Sequence, residues 1–216
     1  MKKTAIVVGA TGLIGESLVE QLTHADHIEK IIAITRRPVS YSHANVINIV
    51  VDFEHLENYA SAFSGDYLFS CLGTTLKQAG SIAAQRRVDL DYQFKAAQLA
   101  ANNGVSHYLL VSSYGADANR KNAYLKMKGE LEDNVKALAF RRISIFQPSL
   151  LMGNRAKLRL GEKLAGYFLP IICSLPFLKR FRPISGDEVA KKMLLVSQQR
   201  GEPMETFTLE DVFVNR

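Results

Sequence analysis

A tyrosine, a lysine and two serines have the types and spacing needed to move a proton to or from an oxygen atom. Tyr124 and Lys128 stand four positions apart in a segment of helical periodicity, which places them on one face of the helix. A phenol has a pKa of about 10, and a neighbouring ammonium group lowers it. Ser112 and Ser113 end an apolar run shortly before, where a hydroxyl could polarise a carbonyl. The pattern predicts acid–base catalysis, and a surface tyrosine beside a lysine is the alternative.

A glycine-rich turn follows the first apolar run of the chain. It has the spacing GxxGxxG and lies between a predicted strand and a predicted helix. Glycine lets the backbone approach a pyrophosphate closely, and a helix N-terminus supplies N–H donors and the positive end of its dipole. The order strand, turn, helix predicts nucleotide binding, and a merely structural turn is the alternative. The predicted binding residues are Gly9, Thr11, Gly12, Leu13, Ile14 and Gly15.

The end of the second apolar run bears on which dinucleotide would bind. An NAD site places Asp or Glu there, where it holds the ribose 2′-hydroxyl. This chain has Arg36 and Arg37 instead, with no acid between Ile34 and Pro38. Guanidinium groups suit a 2′-phosphate, which they bind through charge-assisted hydrogen bonds. NADP(H) is therefore the predicted cofactor, and two solvated loop charges are the alternative.

The elements that must position these residues follow from the hydrophobic pattern. Short apolar runs alternate with helical segments, which predicts a parallel sheet with helices on both faces. The expected fold class is α/β, a doubly wound Rossmann-type sheet, in a single domain over residues 1–216. The predicted strands are Ala5–Val8, Lys30–Thr35, Val46–Val51, Asp66–Cys71, Tyr108–Ser112 and Ile143–Phe146. The predicted helices lie near Ile14–His24, Leu56–Ala62, Ser81–Asn103 and Asn122–Leu138.

The charge of the chain is concentrated in one segment. Of the 216 residues 47% are apolar, which allows a sizeable core and excludes wholesale disorder, and the formal net charge is +6. Residues 155–182 alone carry seven basic residues and one acid around an apolar run that Pro170 and Pro176 break. We expect residues 154–185 to form a lid-like region that holds an anionic group of a small-molecule substrate. Contact with an anionic membrane surface and an ordinary solvated surface are the alternatives.

Several other functions are excluded or disfavoured by the remaining motifs. Cys71 and Cys173 lack the spacing of a zinc site or a disulfide scaffold, which favours reduced thiols in a cytoplasmic protein. His24 and His27 have no third ligand nearby in the sequence, so no metal site is predicted. No apolar run reaches the roughly 18 residues of a membrane-spanning helix, and the basic segment lacks a nucleic-acid recognition motif.

The glycine turn, the serine pair and the YxxxK spacing together resemble the short-chain dehydrogenase/reductase superfamily. The chain is similar to its atypical branch, in the group that includes human Tat-interacting protein 2. The stretches that carry the similarity are Val51–Glu54, Tyr59–Phe63, Cys71–Thr75, Val88–Tyr92 and Ser112–Asp117. The resemblance implies an NADP(H)-dependent oxidoreductase that transfers hydride between nicotinamide and a carbonyl or alcohol. The alternatives are an NADPH-binding regulatory protein with weak catalysis and epimerase-like activity on a nucleotide sugar.

The resemblance also implies contacts with the cofactor. Asp52 and Phe53, after the third strand, would contact the adenine. Leu72, Gly73 and Thr74, after the fourth strand, would line the adenosine and ribose side of the site.

Roles near the reacting atoms follow from the same resemblance. Tyr124 would give or take the proton, Lys128 would also hold the nicotinamide ribose, and alignment with extended members favours Ser113 over Ser112. Pro148 would lie near the nicotinamide, next to Gln147, which replaces the arginine of the family and so weakens any role based on its charge.

Asp89 stands where typical members of the superfamily have an asparagine that positions a water molecule. A carboxylate beside Lys128 would favour the ammonium form and change a proton relay through it. Pairing of Asp89 with Arg86 or Arg87 on a solvated helix face is the alternative.

Overall fold

A seven-stranded parallel sheet forms the centre of the protein, in a computed structural model that describes residues 2–152 and 182–214. The order reverses between β1 and β4, as in a doubly wound sheet, so the predicted fold class is confirmed. All neighbouring strands are parallel. Across the sheet the strands are β3 (Val46–Val50), β2 (Ile28–Thr35), β1 (Lys3–Val8), β4 (Tyr67–Ser70), β5 (His107–Val111), β6 (Arg142–Gln147) and β9 (Met204–Thr208).

Helices connect these strands and cover both faces of the sheet. A π-helical turn, Arg87–Asp91, joins the third helix to the fourth, and 3₁₀ segments span Phe53–Phe63 and Leu209–Val212. A small second sheet pairs β7 (Leu151–Met152) with β8 (Ile184–Ser185). In the described part of the chain the α-helices are α1 (Leu13–Thr23), α2 (Leu76–Ala79), α3 (Ile82–Arg86), α4 (Tyr92–Asn102), α5 (Ala123–Lys136) and α6 (Gly186–Gln198).

The core consists of two apolar layers, one on each face of the sheet. Residues such as Val7 on one face pack with α1 and α6, and residues such as Ile6 on the other face pack with α4 and α5. The central strands are nearly continuous apolar runs because both of their faces are covered. The edge strand β3 differs from this expectation, since Ile47 and Val50 are 44% and 40% exposed.

Two of the predicted helices need correction. The segment predicted as helix Leu56–Ala62 belongs to the 3₁₀ segment, whose backbone is non-helical at His55 and Tyr59. These kinks allow Phe53, Leu56 and Phe63 all to be buried. The helix predicted over Ser81–Asn103 is divided into α3, the π-helical turn and α4. Gly104, which has a φ of +76°, follows the end of α4, a position where glycine commonly ends a helix.

The lid-like region predicted over 154–185 lies outside the described residues except for its last four positions. At that end, the Arg182 guanidinium lies 3.7 Å from the centre of the Phe213 ring, and the Arg182 carbonyl accepts a hydrogen bond from Ser149 Oγ at 2.5 Å. Within residues 2–152 and 182–214, no helix has the length and apolar character needed to cross a membrane.

Candidate active site

The glycine turn packs against the end of β4 so closely that side chains are excluded. Gly9 has a φ of +82°, and a Cβ there would lie 2.7 Å from backbone atoms of Cys71 and Leu72. A Cβ on Gly15 would lie 2.1 Å from the carbonyl oxygen of Gly9, which also accepts from the Gly12 N–H at 2.9 Å. Because backbone atoms cannot yield as a flexible side chain can, the turn requires glycine at positions 9 and 15.

The N-terminus of α1 faces the same region with free hydrogen-bond donors. Gly12 is the N-cap and has no side chain that could accept from the first helical turn. The N–H groups of that turn are therefore available to an anion, and the helix dipole favours negative charge there. Ile14 is 5% exposed and belongs to the core, so its side chain anchors the helix while its backbone N–H remains in the first turn. These donors fit a pyrophosphate.

A cleft of about 960 Å³ opens at the carboxyl ends of β1 to β4. Its volume lies within the range typical of small-molecule and cofactor sites. Nine residues predicted to bind cofactor line it: Gly9, Thr11, Gly12, Arg36, Asp52, Phe53, Leu72, Gly73 and Thr74. Five others are not among its lining residues: Leu13, Ile14, Gly15, Arg37 and Pro148.

The loop that carries Arg36 is held in place by Asn48 of β3. The Asn48 side-chain amide donates to the carbonyl of Ala33 at 2.9 Å and to Thr35 Oγ1 at 2.8 Å. Its carbonyl oxygen accepts from the Val39 N–H at 2.9 Å. Among the described residues no carboxylate forms an ion pair with Arg36, so its charge remains available at the cleft. Sequence reasoning missed Asn48, whose signal is an amide inside an apolar strand.

Aromatic rings and an ion pair line the cleft beside the β3 end. The Phe53 and Tyr92 ring centres are 5.5 Å apart. The Tyr92 hydroxyl donates to Glu54 Oε1 at 2.6 Å, and Arg87 Nη1 donates to the same oxygen at 2.9 Å. These hydrogen bonds, that of Tyr92 foremost, hold the pKa of Glu54 below its usual value. Glu54 therefore stays ionised and keeps Arg87 at the cleft.

Lys128 and Asp89 form a buried ion pair behind this region. Lys128 Nζ lies 3.3 Å from Asp89 Oδ1 and donates to the carbonyl of Val111, at the end of β5, at 3.4 Å. Asp89 Oδ2 accepts from the Thr74 N–H at 3.0 Å. Burial raises the pKa of Asp89, whereas Lys128 and the Thr74 N–H oppose that rise. The pair thus ties the loop after β4 to the end of β5.

The π-helical turn accounts for the inward position of Asp89. The extra residue in such a turn shifts the helix face, and turns of this kind are frequent at functional sites. The backbone of the turn is supported by Gln93, whose amide donates to the Asp89 carbonyl at 2.9 Å. Arg86 and Arg87 pair with carboxylates of other elements. The alternative that Asp89 pairs with them on a solvated face is therefore wrong.

The two serines at the end of β5 occupy different environments. Ser112 is 3% exposed and its hydroxyl donates to the Glu132 carboxylate. The Gln147 amide donates to the two oxygens of the same carboxylate at 2.9 and 3.1 Å. Ser113 is half-buried, and in the described part of the chain its hydroxyl has no hydrogen-bond partner. The arrangement leaves Ser113 rather than Ser112 free to meet a substrate.

A close contact with α5 positions the loop after β5. A Cβ on Gly129 would lie 2.2 Å from the carbonyl carbon of Asp117, so the loop rests directly on the helix. The Asp117 N–H also donates to the carbonyl of Leu125 at 3.2 Å. This places the loop that begins at Ser113 beside the first turns of α5, where Tyr124 is half-buried. Gly129 and Glu132 were not identified from the sequence.

Comparison with known proteins decides the family. A family model described as NAD(P)H-binding matches residues 9–149. The chain belongs to this NAD(P)H-binding family. Protein HTATIP2 of Rattus norvegicus is 41% identical over 170 residues, which are 77% of this chain and 70% of that protein. The mitochondrial protein FMP52 of Eremothecium gossypii is 33% identical over 192 residues, or 87% of this chain and 85% of that protein.

A solved structure agrees with this assignment at the level of the fold. MoeE5 in complex with UDP-glucuronic acid and NAD superposes with a TM-score of 0.71 at 15% identity, covering 95% of this chain and 76% of that one. The 41% identity to HTATIP2 confirms the predicted kinship with the group that includes Tat-interacting protein 2, and MoeE5 shows the same fold. In this NAD(P)H-binding protein the matched residues 9–149 include every predicted cofactor and catalytic residue, from Gly9 to Pro148.

Cys71 lines the cleft of the NAD(P)H-binding protein but is unsuited to covalent chemistry. Desolvation raises the pKa of its thiol to about 12, so the thiol is protonated at neutral pH. Because the thiolate is the nucleophilic form, Cys71 acts here as a small apolar side chain.

Proposed function

We propose that the protein is an NADP(H)-dependent oxidoreductase that transfers hydride between nicotinamide and a carbonyl or alcohol carbon. The observation that carries the proposal is the buried ammonium of Lys128, held between Asp89 and the Val111 carbonyl one helical turn from Tyr124. A lysine without a functional role is rarely buried together with a carboxylate, because desolvating both charges is costly. At the end of β5, Ser113 supplies the hydroxyl that such chemistry requires.

Each side chain has a distinct part in the proposed reaction. When bound, the nicotinamide supplies or accepts the hydride. The Tyr124 hydroxyl gives a proton to the substrate oxygen or takes one from it, and the Ser113 hydroxyl donates a hydrogen bond to that oxygen. Lys128, one helical turn from Tyr124 on the same face of α5, holds the nicotinamide ribose. Asp89 fixes the position of Lys128.

The preference for NADP(H) over NAD(H) rests on Arg36. It lies at the cleft, where its guanidinium has no carboxylate partner in the described part of the chain, and no acid follows β2. We include Arg37, exposed and one residue further along, as a second contact for the 2′-phosphate. The proposal also includes an anionic group on the substrate, held by the basic segment 155–182, and a cytoplasmic location.

A fluorescence titration with NADPH and NADH tests the cofactor. We expect NADPH to bind more tightly, and Arg36→Ala to weaken NADPH binding by about 10- to 100-fold, because a charge-assisted hydrogen bond is worth about 1.5–3 kcal/mol. NADH binding should stay unchanged. Arg37→Ala measures the second contact, and Arg200→Ala, an exposed arginine away from the cleft, is the matched control. Equal affinity for both nucleotides in the wild type would refute the preference.

Turnover of a panel of carbonyl compounds with NADPH tests the catalytic part. Tyr124→Phe should lower kcat by about 10²–10⁴-fold, the usual loss of a general acid or base, and leave the dissociation constant of NADPH within about twofold. Tyr67→Phe, at the opposite end of the sheet, should keep wild-type turnover. The protein could instead bind NADPH but reduce none of these carbonyl compounds, with NADPH binding unchanged in Tyr124→Phe. That result would favour a regulatory NADPH-binding protein over an enzyme.

A further inference from the structure

Three metal-ligating side chains converge on the surface near the end of α1. Glu20 and His24 lie one helical turn apart, and His43 comes from the connection between β2 and β3. His24 Nε2 is 3.2 Å and His43 Nε2 is 3.7 Å from the same oxygen, Glu20 Oε1. All three ligand atoms lie within 4.8 Å of one another. The two imidazole ring centres are 5.3 Å apart.

These separations match the geometry of a tetrahedral metal centre. Bonds of about 2.0–2.1 Å to Zn²⁺ place neighbouring ligand atoms about 3.3 Å apart and two imidazole ring centres about 5.2 Å apart. The observed 3.2 and 3.7 Å between ligand atoms and 5.3 Å between rings differ from these values by a few tenths of an ångström. The side chains of Glu20, His24 and His43 are 62%, 67% and 38% exposed, so an ion can reach them and small adjustments cost little.

We propose that Glu20, His24 and His43 bind a divalent transition-metal ion of the Zn²⁺ type, with water as the fourth ligand. Two imidazoles and one carboxylate form a donor set that Zn²⁺ favours. In the sequence, His24 lies near His27 and no third ligand follows them. In the fold, the third ligand is His43, which precedes β3 and whose carbonyl accepts from the Val46 N–H at 3.1 Å. This proposal opposes the sequence-based prediction that the chain has no metal site.

The position of the site suggests what the ion does. None of its three ligands lines the cleft, so the ion takes no part in the proposed chemistry. It joins α1 to the β2–β3 connection, which begins at Arg36 and Arg37 and ends just before β3. Bound metal would restrict the motion of the β2–β3 connection at the end next to β3.

Zinc binding by the full chain, stripped with a chelator, tests the proposal. Titration with Zn²⁺ against a chromophoric indicator should show one tightly held ion per chain. His24→Ala and His43→Ala should each weaken binding by at least about a hundredfold, since losing a direct ligand exceeds the 10–100-fold effect of losing an outer partner. His55→Ala is the matched control, because His55 is exposed and lies 3.7 Å from a single carboxylate, Glu57. His24 and His55 are exposed and His43 is half-buried at the surface, so all three variants should fold.

Two further measurements make the result decisive. Co²⁺ in place of Zn²⁺ should give the visible bands of a tetrahedral site without thiolate charge transfer, which separates this site from binding by Cys71 or Cys173. Zn²⁺ should also slow amide exchange over residues 36–45 in the wild type but not in His43→Ala. Absence of binding at millimolar Zn²⁺, binding that survives His43→Ala, or a thiolate band would each overturn the site. Binding without slower exchange would overturn the restraint on the connection.

Discussion

At the scale of single residues, the burial of Lys128 with Asp89 sets the energetics of the site. Their side chains are 3% and 1% exposed, so both charges have lost almost all hydration. Desolvation of this kind is offset only by the attraction between the charges and by hydrogen bonds to them, here from the Thr74 N–H and to the Val111 carbonyl. Either charge alone would be strongly unfavourable, which makes the two side chains interdependent.

A double-mutant cycle measures this interdependence. Asp89→Asn and Lys128→Met should each lower the free energy of unfolding by about 3–5 kcal/mol, because each leaves an uncompensated buried group. The double variant should lose less free energy of unfolding than the sum of the two single losses, by at least about 1 kcal/mol. Urea unfolding provides the measurement. Glu130→Gln, which breaks the more exposed pair with Arg86, should cost no more than about 1 kcal/mol. Additive effects of the two core substitutions would contradict the coupling.

At the scale of elements, one glycine sets how closely the catalytic loop approaches α5. Replacing a helical glycine with alanine normally stabilises a helix by about 1 kcal/mol. In Gly129→Ala the new Cβ would lie 2.2 Å from Asp117 and 2.3 Å from Ala118, both backbone atoms. We expect the loop to be displaced and the free energy of unfolding to fall by about 1–3 kcal/mol, as for other overpacked sites. Faster amide exchange over residues 113–118 should accompany the loss.

Lys126→Ala on the same helix is the control for this substitution. Lys126 is exposed, so the change raises helix propensity or leaves it equal without a new contact. A Gly129→Ala protein as stable as Lys126→Ala, with unchanged exchange in the loop, would show that the contact does not constrain the loop.

The elements also show what the sequence could and could not predict. The alternation of strands and helices and the turn at Gly9 followed from patterns local in the chain, because apolar runs and glycine spacing act over a few residues. The cleft residues after β3 and β4 followed only from the family resemblance. Gly129, Glu132 and Asn48 escaped because their roles depend on contacts between different elements, which the local pattern of residues does not show. The sequence left the position of the Asp89 carboxylate open for a related reason. A π-helical turn decides which way the carboxylate faces, and the pattern of residues does not show that turn.

At the scale of the whole molecule, the two ends of the sheet have different roles. The carboxyl ends of the strands form the cleft, whereas a buried polar cluster ties together β5, β6 and β9 at their amino ends. Arg142 donates to Glu205 Oε2 at 2.7 and 3.1 Å and to carbonyls at the end of α6. His107 Nε2 lies 2.9 Å from Ser144 Oγ, whose hydroxyl donates to Glu205 at 3.2 Å. This end of the sheet should govern stability without affecting cofactor binding.

The titration of His107 allows that separation to be tested through pH. Burial foremost, then the charge of Arg142, lowers the pKa of His107 from 6.5 to about 3. Between these values the unfolded chain binds a proton that the folded chain does not, so stability falls as pH falls from about 6.5 toward 3. From pH 7 to pH 5 this one group should lower the free energy of unfolding by about 2 kcal/mol.

His107→Gln isolates this contribution, because glutamine can hydrogen-bond to Ser144 but cannot take up a proton. Urea unfolding at pH 7 and pH 5 should show a loss about 2 kcal/mol smaller in the variant than in the wild type. The same substitution at the exposed His55 is the matched control and should keep the wild-type difference. NADPH affinity at pH 7 should be the same in all three proteins, since His107 starts β5 at the end of the sheet opposite the cleft. A parallel fall in the wild type and His107→Gln would mean that His107 takes up its proton without unfolding, and that the buried cluster admits the charge.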